Sequence, residues 1–192
     1  MSLPIYSYGH QVLKKRAKPI DQQYPNLSEL IDQMWITMEK AQGVGLAAPQ
    51  IGKSIRLFIV DTRPLYLPND RSEIHNQMEL KSFHQTFINP TMIKEEGDLW
   101  SYNEGCLSIP TIRENVKRKN RITIKYLDDD FKQHNKSFKG LLARVIQHEY
   151  DHIEGILFTD LLSPLKKRLL RGKLSDIQIG KCEVDYPMQF VS

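Results

Sequence analysis

Hydrophobic residues in the first quarter of the chain recur at the three- and four-residue spacing of one helical face. This pattern predicts a helix across residues 26–43, with Asn26 or Ser28 as its N-cap and Gly43 at its end. A helix of this kind buries one face in the core and leaves the other in water. The apolar face consists of Leu27, Leu30, Ile31, Met34, Trp35 and Met38.

Two further helices are predicted in the second half of the chain. The stretch GLLARVIQHEYDHIEG, residues 140–155, has an apolar first half that includes Leu141 and Val145. SPLKKRLLRGKL begins with Ser163 as N-cap and Pro164 at the first helical position, which predicts a basic helix over residues 164–174. CEVDY, residues 182–186, then predicts a short strand in the C-terminal tail.

Short runs of β-branched and aromatic residues predict strands between these helices. The runs are RLFIVD, QTFINP, MIKEEGDLWSY and RITIKYL, with a turn at Gly97 and Asp98. Residues 62–85 are polar, contain Pro64 and Pro68 and show no period, which predicts a surface loop or an insertion. Strands in meander order interrupted by helices indicate an α+β fold with antiparallel or mixed sheets.

Length and composition are those of one globular domain. The chain has 192 residues, of which 40% are hydrophobic and 26% are charged. The N-terminal residues lack the apolar run of a signal peptide, and no stretch approaches the roughly 20 apolar residues of a membrane span. We therefore expect one domain over residues 1–192, a cytoplasmic location, and unpaired thiols at Cys106 and Cys182.

The net charge is modestly positive, at +4 with a pI near 9.0. The excess lies in residues 113–125 and 165–173. Both stretches are interpreted as solvated faces, although a basic excess also favours RNA-rich or acidic partners.

Two histidines on the second predicted helix suggest a metal site. His148 and His152 are four residues apart, so both imidazoles lie on one helical face, and Glu149 stands beside them. A metallohydrolase uses this HExxH arrangement to bind an ion through two imidazoles and to place a carboxylate next to a water. We expect this helix at the centre of the fold. The alternative is a pair of core histidines that bond to the backbone.

A third protein ligand decides which class of metalloenzyme the motif belongs to. Peptidases of the HExxH type use a later Glu or His, but no histidine follows Gly155 in this chain. Upstream, EGCLSIP places Cys106 beside a glycine, where a thiolate can approach a divalent ion closely. Taken alone, this cysteine is better interpreted as a buried thiol than as a metal ligand.

Three stretches together resemble the peptide deformylase family. GVGLAAPQ (residues 43–50), EGCLS (104–108) and QHEYDH (147–152) occur in the order of that family's signature blocks. Similarity continues through VLKKRAKPI, INP and LFTDLLSPL, so that it covers nearly the whole chain.

The resemblance implies specific roles for residues of these blocks. Cys106, His148 and His152 would be the metal ligands, and Glu149 the general acid and base. Gln50 and the backbone amide of Leu107 would stabilise negative charge on the formyl oxygen. Glu104 and Asp151 would orient basic side chains or ligand imidazoles, or would be ordinary structural carboxylates.

The family's substrate is the formyl-methionine end of a new polypeptide. The resemblance implies that the methionine side chain enters an apolar pocket lined by Val44 and Val145. The peptide backbone would pair along residues 43–45, which include Gly43 and Gly45. Arg113 matches a position near the outer part of the peptide site.

One divalent ion per chain is implied, with Fe²⁺ as the native ion and Zn²⁺, Ni²⁺ or Co²⁺ as possible substitutes. The basic C-terminal helix suggests association with the ribosome. We expect no membrane association and no sequence-specific binding of nucleic acid. The alternatives are an HExxH zinc peptidase and a catalytically silent relative that binds ribosomes.

The chain departs from the compact bacterial members at three places. Residues 64–83 form a longer segment and are interpreted as an insertion. Arg144 stands where an apolar residue is common, which predicts a more polar outer rim of the methionine pocket. After the basic helix, the tail continues as IQIGKCEVDYPMQFVS rather than as more helix.

Overall fold

The computed structural model describes residues 2–68 and 77–191. The helices are α1 (Leu27–Lys40), α2 (Gln77–Leu80), α3 (Gly140–Glu154) and α4 (Pro164–Gln178). The strands are β1 (Ile5–Tyr6), β2 (Gly45–Ala47), β3 (Leu57–Asp61), β4 (His84–Cys106), β5 (Ile109–Leu127), β6 (Gln133–Lys139) and β7 (Met188–Gln189). Short 3₁₀ helices occur at Gln11–Lys14, Ala48–Ile51, Arg63–Leu65 and Phe158–Leu161.

Five strands form one antiparallel sheet in the order β2-β3-β4-β5-β6. The first and last strands of the chain, β1 and β7, form a separate parallel pair. The α+β class with an antiparallel sheet is therefore confirmed. Among the described residues, no helix has the length and apolar character needed to cross a membrane.

Helix α3 packs against β2, β3, β5 and β6. Its first half is buried because Leu141, Leu142 and Ile146 join a core cluster with Phe58, Phe87 and other sheet residues. The predicted helices over residues 26–43 and 140–155 correspond to α1 and α3, and Gly155 ends α3 in the left-handed conformation.

The turn predicted at Gly97 and Asp98 is wrong, because β4 runs unbroken through both residues. The strand register shifts between Glu96 and Leu99, and Gly97 has a φ of +80°, so the glycine marks a β-bulge. The chain reverses instead at Leu107 and Ser108, a two-residue turn between β4 and β5.

The C-terminal region also differs from the expectation. Ser163 caps α4 by accepting a hydrogen bond from the Lys166 amide at 3.4 Å, but the helix continues to Gln178. Leu174 and Ile177 are buried, so the apolar face extends past residue 174. The strand predicted over residues 182–186 is wrong, since these residues are irregular and the tail pairs only through β7.

The segment interpreted as an insertion, residues 64–83, begins in the 3₁₀ helix Arg63–Leu65 and continues after residue 76 as α2. The Thr62 hydroxyl donates to the Leu80 carbonyl at 3.1 Å, which ties the two ends of the segment together. Residues 69–76 lie outside the described part of the chain.

Candidate active site

Three possible metal ligands come together where β4 meets α3. Cys106 ends β4, and His148 and His152 lie one turn apart on α3. Their ligand atoms all lie within 4.8 Å of one another, and Cys106 Sγ is 3.3 Å from His152 Nε2. A thiolate and two imidazoles are donors that suit zinc, iron, nickel or cobalt, so these residues fit a divalent transition metal.

The two imidazoles lie in different environments: a carboxylate orients the ring of His148, whereas Nδ1 of His152 has no hydrogen-bond partner among the described residues. His148 Nδ1 is 3.0 Å from Glu104 Oε2, which leaves Nε2 for the cluster. Burial disfavours a charged imidazole at this position, but hydrogen bonds with Cys106 and Glu104 raise the pKa of His148 well above its ordinary value. For His152, burial lowers the pKa well below the ordinary value, so its ring stays neutral. Neutral imidazole is the form that binds metal.

Glu104 links this cluster to two buried arginines. Its Oε1 accepts from Arg118 Nε and Arg144 Nη1, both at 2.8 Å, and its Oε2 accepts from Arg118 Nη2 at 3.0 Å. Burial opposes ionisation of this carboxyl, but the hydrogen bonds from His148 and Arg118 hold its pKa far below the usual range. Asp151 Oδ2 accepts from Arg118 Nη1 at 2.6 Å. Glu104 thus contacts the imidazole of His148, and both Glu104 and Asp151 contact Arg118.

The buried contacts of the two arginines with Glu104 were not predicted from the sequence, although Arg144 was expected at the rim of the methionine pocket. Arg118 lies in a stretch interpreted as a solvated face, yet it is buried, because β4 places Glu104 against it. Arg144 is 1% exposed and donates to the carbonyls of Trp100 and Val116 as well as to Glu104. It borders the cavity, but both terminal nitrogens of its guanidinium group donate to these partners rather than standing free at a rim.

Glu149 lies beside the three proposed metal ligands but is not itself one of them. Its carboxylate is buried, and Oε2 has no hydrogen-bond partner within the described residues. Burial raises the pKa of Glu149 to about 7, which suits a group that accepts and returns a proton near neutral pH. A Cβ on Gly45 would lie 2.3 Å from Glu149 Oε1, so only glycine permits this approach.

Gln50 presents an amide donor to the same place. It belongs to the 3₁₀ helix Ala48–Ile51, and its Oε1 accepts from the Ala47 amide at 2.8 Å. This bond fixes the amide so that Nε2 lies 3.5 Å from Cys106 Sγ and 3.3 Å from Ser108 Oγ. Leu107 stands between these two residues in the turn after β4.

A cavity of about 560 Å³ opens onto this group. Eleven of the thirteen site residues expected from the sequence line it: Gly43, Val44, Gly45, Gln50, Glu104, Cys106, Leu107, Arg113, Val145, His148 and Glu149. His152 and Asp151 do not line it. The Arg113 guanidinium lies at the outer part and donates to the Asn103 side chain and carbonyl.

Other lining residues were missed in the sequence. Leu65 from the insertion, Tyr102, residues 109–112 and residues 183–186 of the tail all border the same cavity. Tyr102 and residues 109–112 flank the EGCLS stretch, whereas Leu65 and residues 183–186 carry no local signal, because they come from distant parts of the chain.

Comparison with known proteins places this geometry among one group of enzymes. The family model described as polypeptide deformylase matches residues 2–168 and so ends within α4. A peptide deformylase of Christiangramia forsetii is 53% identical over 190 residues, covering 99% of this chain and 96% of the relative. One from Flavobacterium johnsoniae is 53% identical over 192 residues, covering 100% and 97%.

Solved structures agree with these relatives. A peptide deformylase from Legionella pneumophila is 36% identical with a TM-score of 0.76, covering 92% of this chain and 95% of the other. One from Thermotoga maritima is 35% identical with a TM-score of 0.72, covering 85% and 99%.

Proposed function

This chain belongs to the peptide deformylase family, a family of metal-dependent hydrolases that remove the N-formyl group from newly made polypeptides, and we propose which of its residues perform that reaction. The metal site is assigned to Cys106, His148 and His152. The observation that carries this assignment is their convergence within 4.8 Å beside the buried carboxylate of Glu149. The same arrangement separates this chain from HExxH peptidases, because a thiolate takes the place of a late carboxylate or imidazole.

A divalent ion at this site would polarise the formyl carbonyl and lower the pKa of a water to near neutrality. Ferrous iron is proposed as the native ion, on the resemblance to bacterial members, with zinc, nickel or cobalt as substitutes that the same donors accept. Metal analysis of protein purified without oxygen tests this choice. Zinc as the sole bound ion would contradict it.

Glu149 accepts the proton of the attacking water and later delivers a proton to the leaving amine. Its pKa of about 7 supports both steps, since the group can be ionised or protonated at little cost near neutral pH. Gln50 Nε2 and the Leu107 amide donate to the formyl oxygen as negative charge develops there. One such donor is typically worth about 3 to 4 kcal/mol.

The methionine side chain is proposed to enter the apolar part of the cavity next to Val44 and Val145. The backbone of the nascent peptide pairs with residues 43–45 as an added strand. This is possible because β2 is an edge strand of the five-stranded sheet and offers unpaired backbone groups. Arg113 stands further out, where it contacts the chain beyond the methionine.

A pair of peptides tests the reaction. The metal-loaded enzyme should release formate from a formyl-Met tripeptide and leave the unformylated tripeptide intact. Glu149→Ala should keep its metal and lose turnover, whereas Glu95→Ala, which removes an exposed carboxylate on β4, should retain full activity. Backbone cleavage of the unformylated peptide, or full activity of Glu149→Ala, would contradict the assignment.

Ribosome association is proposed through α4. Lys167, Arg168 and Arg171 are exposed on this helix together with Leu165 and Leu169, which are 67% and 71% exposed. Neutralising the three cations should weaken binding to ribosomes and flatten its dependence on salt. An unchanged affinity of this variant for ribosomes would contradict the proposed association. Because nascent chains are made in the cytoplasm, we place the enzyme there.

The domain organisation is proposed as one deformylase domain over residues 1–192 with an insertion at residues 64–83. The position of Leu65 on the cavity wall supports an insertion that borders the cleft rather than one remote from it.

A further inference from the structure

The C-terminal tail forms part of the active-site cavity. After α4 ends, the chain reverses at Gly180, whose φ is +78°. Residues 183–186 then line the cavity that holds the metal ligands. These residues lie beyond the region that the family model matches, so their role does not follow from membership of the family.

The tail is held firmly on both sides of this segment. Strand β7 pairs with β1, and the Ile5 and Ser7 amides donate to the Pro187 and Gln189 carbonyls at 2.9 and 3.0 Å. The Val191 amide donates to the Gln178 carbonyl at 3.0 Å, which closes the loop back onto α4. The segment that faces the cavity is therefore a bridge anchored at both ends.

Tyr186 makes the direct contact with the catalytic turn. Its hydroxyl donates to the Leu107 carbonyl at 2.8 Å, and both residues are partly buried against the same core cluster. Burial and the nearby Cys106 raise the pKa of this phenol, so it remains a donor at any pH where the enzyme works. The contact joins residues 79 positions apart in the sequence.

Leu107 is a residue whose exact position matters. A Cβ on Gly43 would lie 2.8 Å from Leu107 Cδ1, which places the leucine against the segment proposed to bind the peptide backbone. The next carbonyl, that of Ser108, accepts from the Tyr8 amide at 2.8 Å. Two consecutive carbonyls of the turn are thus held by the two ends of the chain, which pair with each other as β1 and β7.

We infer that Tyr186 is a positioning residue for the deformylation reaction: its hydrogen bond holds Leu107 so that the backbone amide of this residue points at the developing charge on the formyl oxygen. The inference rests on the role proposed for that amide. A donor that drifts from its place loses more stabilisation in the transition state than in the bound substrate. Removal of the hydroxyl should therefore lower kcat and leave KM nearly unchanged.

Tyr186→Phe removes the hydroxyl and keeps the ring. Tyr8→Phe is the matched control, since Tyr8 is half-buried beside the same strand pair and its hydroxyl bonds to none of the described residues. We expect kcat for a formyl-Met tripeptide to fall about three- to tenfold in Tyr186→Phe, with KM within about twofold of wild type. Tyr8→Phe should keep both constants.

Amide hydrogen exchange supplies a measurement that does not depend on turnover. Peptides covering residues 105–109 should exchange faster in Tyr186→Phe than in wild type, while the same peptides in Tyr8→Phe should not change. A purely structural role for Tyr186 would lower the melting temperature without changing kcat at temperatures well below it.

An unchanged kcat in Tyr186→Phe would overturn the inference, and so would a rise in KM at constant kcat, which would make the tail a binding wall only. Unchanged exchange at residues 105–109 would also count against it. Failure of the wild-type enzyme to release formate would instead refute the proposed reaction, so the two failures are distinguishable.

Discussion

Replacing Glu104 with glutamine should damage stability and metal binding together. Two acidic groups, Glu104 and Asp151, balance Arg118 and Arg144 in the buried network. Glu104→Gln keeps the shape of the side chain but leaves one uncompensated positive charge. Removing one partner of a buried ion pair typically costs about 3 to 5 kcal/mol.

The hydrogen bonds lost in Glu104→Gln predict a loss of stability of similar size. Each carboxylate oxygen of Glu104 has two hydrogen-bonding partners, and the side chain of glutamine has only one oxygen. If the amide nitrogen takes the Oε1 position, it faces Arg118 Nε and Arg144 Nη1. If it takes the Oε2 position, it faces Arg118 Nη2 and His148 Nδ1. The first orientation leaves Arg118 Nε without an acceptor and leaves Arg144 Nη1 only the Val116 carbonyl, whereas the second removes the acceptor of Arg118 Nη2 and the carboxylate partner of His148. Each buried donor left without an acceptor costs about 1 to 3 kcal/mol.

Metal affinity should fall as well, by about 10- to 100-fold, because His148 loses the carboxylate that directs its Nε2 toward the cluster. Urea unfolding and a competition titration with a chelator measure the two effects. Glu114→Gln is the matched control: Glu114 lies opposite Glu104 on β5, but it is partly exposed and pairs with Lys166. Its replacement should cost less than about 1 kcal/mol and leave metal binding intact.

Equal stability and equal metal affinity of Glu104→Gln and Glu114→Gln would refute this reasoning. Such a result would mean that the buried arginines find other acceptors or water, and that His148 keeps its orientation without the carboxylate.

Three further outcomes follow from the same structure. Gly45→Ala forces the Glu149 carboxylate to move and should lower kcat by about 100-fold with metal content unchanged; normal turnover would show that the carboxylate has room to shift. Gln50→Ala should lower kcat by about 100-fold at constant metal content, measured by formate release, and a change in KM alone would contradict the charge-stabilising role. A hydrogen bond with His134 lowers the pKa of Asp128, so this contact stabilises the fold above the ordinary carboxyl pKa of about 3.9 and is lost as the pH falls through the lower folded-state value. Asp128→Asn should therefore reduce the free energy of urea unfolding by less than about 1 kcal/mol near neutral pH, and the difference should vanish once the pH falls below the lowered pKa of Asp128.

The elements and residues that were predictable from the sequence are those with a local signature. The period of α3 places His148 and His152 on one face whatever surrounds the helix, and the short runs of β3 and β5 identify strands by composition. Gly97 shows the limit of such signals, because a glycine with positive φ serves a turn and a β-bulge equally well. Only the pairing of β4 with β5 along its whole length decides between them.

Burial of charge was not predictable for a different reason. Arg118 and Arg144 are ordinary basic residues until β4 brings Glu104 to both of them. The burial of Arg118 depends on long-range register, which leaves no pattern in its local sequence, and the position of Arg144 on the apolar half of α3 does not reveal its partner Glu104. The same holds for Tyr186, whose partner Leu107 lies on another element and far away in the chain.

The pairing of β1 with β7 limits when the last part of the active site can fold during synthesis of the chain. Contacts between β1 at residues 5–6 and β7 at residues 188–189 join positions far apart in the sequence, so they close only after the residues between the two strands have been made. The sheet, α3 and the metal ligands are all synthesised before this strand pair can form. The turn that holds Leu107 is therefore secured only after residues 186–189 have been made.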